Sequence, residues 1–259
     1  MAFAKIVGTG RYVPEKVLTN ADLSRILGED INEFVTQVLG INERHVCAED
    51  ESTADIATHA ALEALKDAGV SPEELDLIVL ATDTPEQLSP ATSVVVQHRL
   101  GAKNAGTFDV NCACAGFVTA LDAAAKYIIS DSSYRNVLVI GAYAISKYLD
   151  WKDKKTATIF ADGAGAVVLQ SREDGPGFLA SKLRADGSFH DHMGIYAGGT
   201  HIPITQQTLD EGYWTKVRFH KKYPAEVNTE GWPAIVREVL AKAELRLDDV
   251  KLFLFTQVN

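Results

Sequence analysis

The run Cys112-Ala113-Cys114-Ala115-Gly116-Phe117 puts a thiol where an apolar strand, Thr107-Phe108-Asp109-Val110, runs into a helix. The helix is read from Phe117, Ala120, Leu121, Ala124, Tyr127 and Ile128, which recur at helical spacing. The first turn of a helix has unpaired N–H groups and a partial positive charge, and both favour thiolate over thiol. Ala115 and Gly116 leave room beside the sulfur of Cys114 for a substrate, so the pattern suits a nucleophilic cysteine. A buried structural cysteine is the alternative, since cysteine is among the most buried residue types. Cys112 and Cys114 together suggest a metal or redox pair, but no second Cys or His pair stands at zinc-ligand spacing, so no metal site is read.

The elements that must position this thiol follow from hydrophobic patterning. Apolar runs at Leu75 to Ala81, Thr107 to Val110, Asn136 to Ile140 and Ala164 to Leu169 alternate with amphipathic segments, which predicts an α/β fold with a largely buried sheet. The segment Phe160-Ala161-Asp162-Gly163-Ala164-Gly165-Ala166 lacks the Lys-Ser/Thr of a phosphate loop and precedes a strand, so its glycines read as close backbone packing. Ser171 to Gly177, charged and rich in Gly and Pro, reads as a join between two halves. A shift of 175 residues lays helix Ala60 to Ala68 and strand Leu75 to Leu80 on Ile235 to Ala243 and Val250 to Phe255. Glu63, Leu65, Ala68 and Leu77 then meet Glu238, Leu240, Ala243 and Leu252, and a complete second half would end near about residue 344 by repeat logic.

Composition narrows the function classes. The chain has 259 residues, of which 46% are hydrophobic, enough for a large core in one domain or two. A net charge of −10 argues against binding nucleic acid or an anionic membrane through bulk charge. Three cysteines suit a reducing compartment better than a disulfide scaffold. The N-terminus has no signal-peptide core, and no apolar run reaches the roughly 20 residues of a membrane span. A cytoplasmic protein is expected.

The cysteine motif resembles the nucleophile motif of the ketoacyl-acyl-carrier-protein synthase III family, in the thiolase superfamily of condensing enzymes. The resemblance runs from Ile6 to Pro14 through Gly40 to His45, Phe108 to Phe117 and Phe160 to Ala166, and covers essentially the whole chain. It implies a thiolase-like fold of two pseudo-duplicated βαβαβ-type halves in a layered α-β-α-β-α arrangement. On that pattern, residues 1–170 form the half with the nucleophile, 171–176 the linker and 177–259 a C-terminal half that is incomplete in this chain. The resemblance implies an acyltransferase in fatty acid or polyketide biosynthesis. Cys114 takes an acyl group from acyl-CoA, and the acyl-cysteine is then condensed with malonyl-acyl carrier protein. The backbone N–H of Cys114 is a candidate oxyanion donor. The implied substrates are acyl-CoA and acyl-carrier phosphopantetheine, with no permanently bound cofactor. The implied partners are acyl carrier protein and a second copy in a homodimer, with the loop Pro85 to Pro90 beside the acyl tunnel and reaching across the dimer.

Some positions depart from the family pattern. Its His-Gln-Ala-Asn tetrad aligns with Thr256-Gln257-Val258-Asn259, so threonine stands at the histidine position and Asn259 is a neighbour of the site. A hydroxyl donates one hydrogen bond but is not a base near neutral pH, which favours acyl transfer to another acceptor over decarboxylative condensation. A non-catalytic partner that binds acyl chains or carrier protein is the rival of another class. Lys154 falls where relatives place an arginine near the adenine end of CoA, and Phe34 where they stack a tryptophan on that ring. A second family arginine aligns with Val38. Lys152, Lys154 and Lys155 form one basic spot, and Lys216, Arg218, His220, Lys221 and Lys222 another. Either suits a phosphate or an acidic carrier surface. His59, His98, His190, His192, His201 and His220 are read as surface or hydrogen-bonded structural residues.

Overall fold

A computed structural model describes residues 2–212 and 215–256. The chain forms two compact units, each built from discontinuous segments. The first comprises Met1–Val17, His45–Ala144 and Ala161–Leu179, and the second Leu18–Arg44, Ile145–Phe160 and Ala180–Asn259. Compactness thus divides the chain differently from the order of its sequence repeat.

In the first unit the elements are β1 (Phe3–Tyr12), α1 (Thr53–Ala68), β2 (Leu77–Ala81), α2 (Thr92–Leu100), β3 (Gly106–Val110), α3 (Gly116–Ser130), β4 (Asn136–Tyr143) and β5 (Gly163–Arg172). The strands make one five-stranded sheet in the order β1-β5-β4-β2-β3. β2 runs parallel to β3 and to β4, whereas β5 is antiparallel to β4 and β1. Side chains alternate between the two faces of a strand. Ile78, Leu80, Leu138, Ile140 and Val168 accordingly share a cluster with α1 and α2, while Leu77, Val79, Val137, Val139 and Leu169 join Ala120, Ala124 and Ile128 of α3. Both faces are covered, and every residue of β2 is buried. This is why β2 reads as an unbroken apolar run rather than an alternation. Each large side chain enclosed in this way contributes about 1.5–3 kcal/mol relative to exposure.

The N-terminus of α1 is closed by a capping box: the Ser52 side chain accepts from the Asp55 N–H, and the Asp55 carboxylate accepts from the Ser52 N–H. Its buried face is mostly alanine, and β1 lies directly on it. A Cβ on Gly10 would fall 2.2 Å from the Ala60 carbonyl oxygen, and one on Gly8 2.5 Å from that of Ala64. At the far end of the sheet's chain order, β5 runs on to Arg172, into the stretch that composition reads as linker. Phe3 pairs with Arg172, and the Ser171 N–H donates to the Arg135 carbonyl at 2.8 Å. The stretch Ala113–Ser130 is long and apolar enough by composition to cross a membrane. In the fold, however, its Ala120, Ala124, Ala125 and Ile128 pack on the sheet. Lys126 pairs with Asp122 at 2.6 Å one turn away.

The second unit has a small core of Leu23, Ile31, Val35 and Ala157, against which Leu18, Leu27, Ile41 and Trp151 pack. Helix Trp232–Lys242 is found where the repeat predicts one. The strand predicted at Val250 to Phe255 is not: among the described residues this segment joins no sheet. Apolar character is insufficient here, because a strand is defined by ladder hydrogen bonds to a neighbour and these residues have none.

Candidate active site

β3 ends at Val110, and the chain turns through a 3₁₀ segment, Ala113–Ala115, before α3 begins at Gly116. Cys114 sits in the middle of that turn and is solvent-exposed. Ala113 adopts φ +46°, a left-handed conformation that costs a residue with a Cβ roughly 1–2 kcal/mol. The turn is closed by the Ala115 N–H donating to the Cys112 carbonyl at 3.1 Å and by the Gly116 N–H donating to that of Ala113. Gly116 allows α3 to start against the end of β2, since a Cβ there would meet the Ala81 Cβ at 3.2 Å. The strand–thiol–helix order expected from sequence is therefore present, with the regular helix starting two residues after the thiol. In the preceding strand the Asp109 carboxylate accepts from the Thr92 and Ser93 N–H groups at 2.6 and 2.8 Å, so it caps α2.

Register places two further groups at this end of the sheet. Ala81 is level with Val110 on β3 and Gly141 on β4, so Asp83, Cys112 and Tyr143 each lie two residues beyond that line. The ladder continues past the strands, with the Thr82 N–H donating to the Val110 carbonyl at 3.1 Å. Buried threonines then fix the backbone on both sides of Asp83. The Thr84 N–H donates to Thr82 Oγ1 at 3.0 Å, the Ala144 N–H to Thr84 Oγ1 at 2.9 Å, and Thr53 Oγ1 to the Thr84 carbonyl at 2.5 Å.

These neighbours set the electrostatics. Burial pushes the Asp83 carboxyl above its usual range. Burial first, and the Asp83 charge second, push the Cys114 thiol up, with only its own backbone N–H acting the other way. The Tyr143 phenol is raised by burial and then by Asp83, Cys114 and Asp162. Burial and the Asp83 charge act against the helix-driven lowering expected from sequence. Cys114 lies two residues ahead of α3, where the partial positive charge of the helix N-terminus favours thiolate, so the two influences oppose each other. Although the residue is exposed by area, protein on one side of the sulfur still removes hydration that a thiolate needs.

In the second unit, Lys154 Nζ lies 5.7 Å from the centre of the Phe34 ring and 3.2 Å from a Glu29 carboxylate oxygen. The two candidate CoA contacts are therefore brought together. Phe34 and Val38 are both exposed. In the second basic spot, Arg218 pairs with Asp150 at 2.9 Å and Asp153 at 3.5 Å, and Lys221 pairs with Asp191. His192 bonds Asp191 at 3.1 Å, and His59 stacks on Tyr12 with ring centres 4.6 Å apart. The Asp162 carboxylate of the glycine segment is buried and accepts from the Cys47 N–H at 2.7 Å. Two cavities, of 680 and 570 Å³, are lined by Trp232, Leu240 and Phe255 and by Tyr12, Glu51 and His59 respectively, and Cys114 lines neither.

The family model for 3-oxoacyl-[acyl-carrier-protein (ACP)] synthase III matches residues 108–187, the span that holds the cysteine turn, α3, β4 and β5. The beta-ketoacyl-[acyl-carrier-protein] synthase III of Caldanaerobacter subterraneus subsp. tengcongensis is 39% identical over 256 residues, covering 99% of this chain and 76% of the relative. The chain belongs to the synthase III family. A second synthase III, from Xylella fastidiosa, is 48% identical over 76% of this chain and 61% of its own length. Among solved structures, 3-oxoacyl-[acyl-carrier-protein] synthase III from Aquifex aeolicus superposes with a TM-score of 0.84 at 40% identity, covering 96% of this chain and 75% of that one. The priming β-ketosynthase of the R1128 polyketide pathway superposes at 0.82 with 29% identity, covering 96% and 72%. The fold of this synthase III-family chain is accordingly the thiolase-like α/β fold. Thr256, which the sequence reading sets at the family's histidine position, is exposed in the second unit, and Asn259 lies outside the described residues. Asp83 and Tyr143 are absent from the sequence-based candidates. The signal that finds them is positional: Tyr143 ends, and Asp83 closely follows, a strand parallel to the one that carries the nucleophile.

Proposed function

We propose that this chain is an acyltransferase of the 3-oxoacyl-acyl-carrier-protein synthase III type. It loads an acyl group on Cys114 and condenses it with malonyl-acyl carrier protein in fatty acid or polyketide biosynthesis. The observation that carries this reading is the exposed thiol on a strained turn at the carboxyl ends of parallel strands, in a chain of this family. In loading, the Cys114 sulfur bonds to the thioester carbonyl carbon, the carbon–sulfur bond of the donor breaks, and the thiol proton ends on the departing thiol. In condensation, malonyl loses carbon dioxide, and the resulting carbanion attacks the acyl-cysteine and returns the cysteine sulfur. Acyl-CoA and acyl-carrier phosphopantetheine are the substrates, with Phe34 and Lys154 gripping the CoA end, and acyl carrier protein is the partner. The enzyme works in the cytoplasm as a homodimer, and the dimer is supported by Leu88, which is 84% exposed in the loop between β2 and α2. In this reading residues 1–170 and 177–259 are the two halves of the thiolase duplication, joined at 171–176.

Thr256 favours a second reading, transfer of the acyl group to a non-malonyl acceptor without decarboxylation, because its hydroxyl is no base near neutral pH. Intact-protein mass spectrometry after incubation with acyl-CoA and acyl-carrier thioesters separates the two. An adduct on the unmodified chain that is absent in Cys114→Ala and is discharged by malonyl-acyl carrier protein to a ketoacyl product is the expected result. An adduct indifferent to malonyl selects the transferase. No adduct on folded protein would leave only a non-catalytic acyl- or carrier-binding role.

A further inference from the structure

In the second unit, Glu29, Phe34 and Lys154 are anchored on one small core. Ile31, Val35 and Ala157 are buried together there. Glu29 stands two residues before Ile31, Phe34 directly before Val35, and Lys154 three residues before Ala157. The backbone at Glu29 is set by the end of helix Asn20–Leu27. Gly28 takes φ +72°, and the Gly28 and Glu29 N–H groups both donate to the Ser24 carbonyl, at 2.9 and 3.2 Å. Lys154 opens helix Lys154–Ala157, where the Asp153 side chain accepts from the Lys155 N–H at 3.1 Å. From these positions Lys154 Nζ lies 3.2 Å from a Glu29 carboxylate oxygen and 5.7 Å from the centre of the exposed Phe34 ring. The ammonium beside the ring is thus engaged by a carboxylate. Nothing in the same stretch of chain replaces it, since residues 29–38 carry Glu29, Asp30 and Glu33 and no basic residue. Val38, one turn beyond Phe34, is an exposed aliphatic side chain whose N–H donates to the Phe34 carbonyl at 2.9 Å.

We infer that Glu29 is a specificity-determining residue for the acyl donor: by holding Lys154, it competes with the phosphates of a nucleotide-bearing donor and favours donors that carry no nucleotide. The inference rests on the reading that Phe34 and Lys154 take the CoA end. A phosphate pairs with Lys154 only by drawing Nζ away from Glu29, and the carboxylate left beside the phosphate repels it. A pantetheine thioester brings no nucleotide phosphate to Lys154, so Glu29 does not act on it. Glu29 and Lys154 are both about half exposed, so solvent screens the pair and the result is a preference between donors and not an exclusion.

The test is calorimetric titration of the full chain with CoA, at low salt and under a thiol reductant. Glu29→Gln removes the charge at nearly constant shape and should tighten CoA binding by up to about fivefold, the upper end of what one exposed ion pair contributes. The gain should fade at about 1 M salt, where charges are screened beyond about 3 Å. In loading of Cys114, the same change should lower KM for acyl-CoA, leave kcat in place and leave acyl-pantetheine loading unaltered. CoA binding that is unchanged or weaker in Glu29→Gln protein with unaltered circular dichroism overturns the inference, and so does an equal gain for acyl-pantetheine. Lys154→Met separates this proposal from the reading beneath it. CoA binding indifferent to Lys154→Met places the CoA end elsewhere and sinks both, whereas binding weakened by Lys154→Met with no gain in Glu29→Gln refutes the role of Glu29 alone. Because calorimetry needs no acyl transfer, a chain that fails to load acyl groups still gives the result.

Discussion

Ala113 holds φ +46° one residue before the nucleophile, where an L side chain is disfavoured. The turn is held by the hydrogen bonds of Ala115 and Gly116 and by the close approach of Gly116 to Ala81. Ala113→Gly should therefore raise stability by about 0.5–1 kcal/mol, the relief of strain being partly offset by a freer unfolded chain. Denaturant unfolding would measure it. The same change should slow acyl loading, since a glycine no longer restricts the turn that aims the sulfur. A variant that is less stable would show that the left-handed turn carries no strain. At this scale the nucleophile was legible because its neighbours are small and a strand and a helix flank it. Its ionisation was not, because the groups that set it come from residues far away in the chain.

At the scale of elements, β1 and α1 meet backbone to backbone. Gly10 and Gly8 face the Ala60 and Ala64 carbonyls at distances that no Cβ can occupy. Gly10→Ala must push strand and helix apart across a core shared by Ala57, Ala61 and Ile78. A loss of about 3 kcal/mol or more in unfolding free energy is expected, beyond the usual range for overpacking because the obstacle is backbone. A thermal melt within a degree or so of the original would contradict the close approach. Most of these elements could be read in advance. β2 announces itself as a run apolar on both faces, and α1 by Ser52 with Asp55 three residues on. Val250 to Phe255 misled because its composition matches a strand while the pairing that makes one depends on a neighbour. Ser171 and Arg172 misled in the opposite sense, since polar residues at a strand end are held by the partner's backbone and not by their own side chains.

At the scale of the whole molecule, the two compact units draw on separated stretches of chain, so unit boundaries could not be read along the sequence. The α/β class and the family could, because they depend on alternation and on local motifs. The pairing of the chain's opening strand has a further consequence. Among the described residues β1 pairs only with β5, and its register runs from Phe3 opposite Arg172 to Tyr12 opposite Ala164. On the ribosome, the first strand must therefore wait until residue 172 has been made before its edge is closed. At about 5–20 residues per second this interval is roughly 8–30 s. Throughout it, Phe3 to Tyr12 presents unpaired N–H and carbonyl groups to other nascent chains. Ribosome-bound chains arrested short of Arg172 should be cut by protease within Phe3–Tyr12, and chains arrested well past it should be protected there. Equal protection in both would mean that α1 alone shelters the strand.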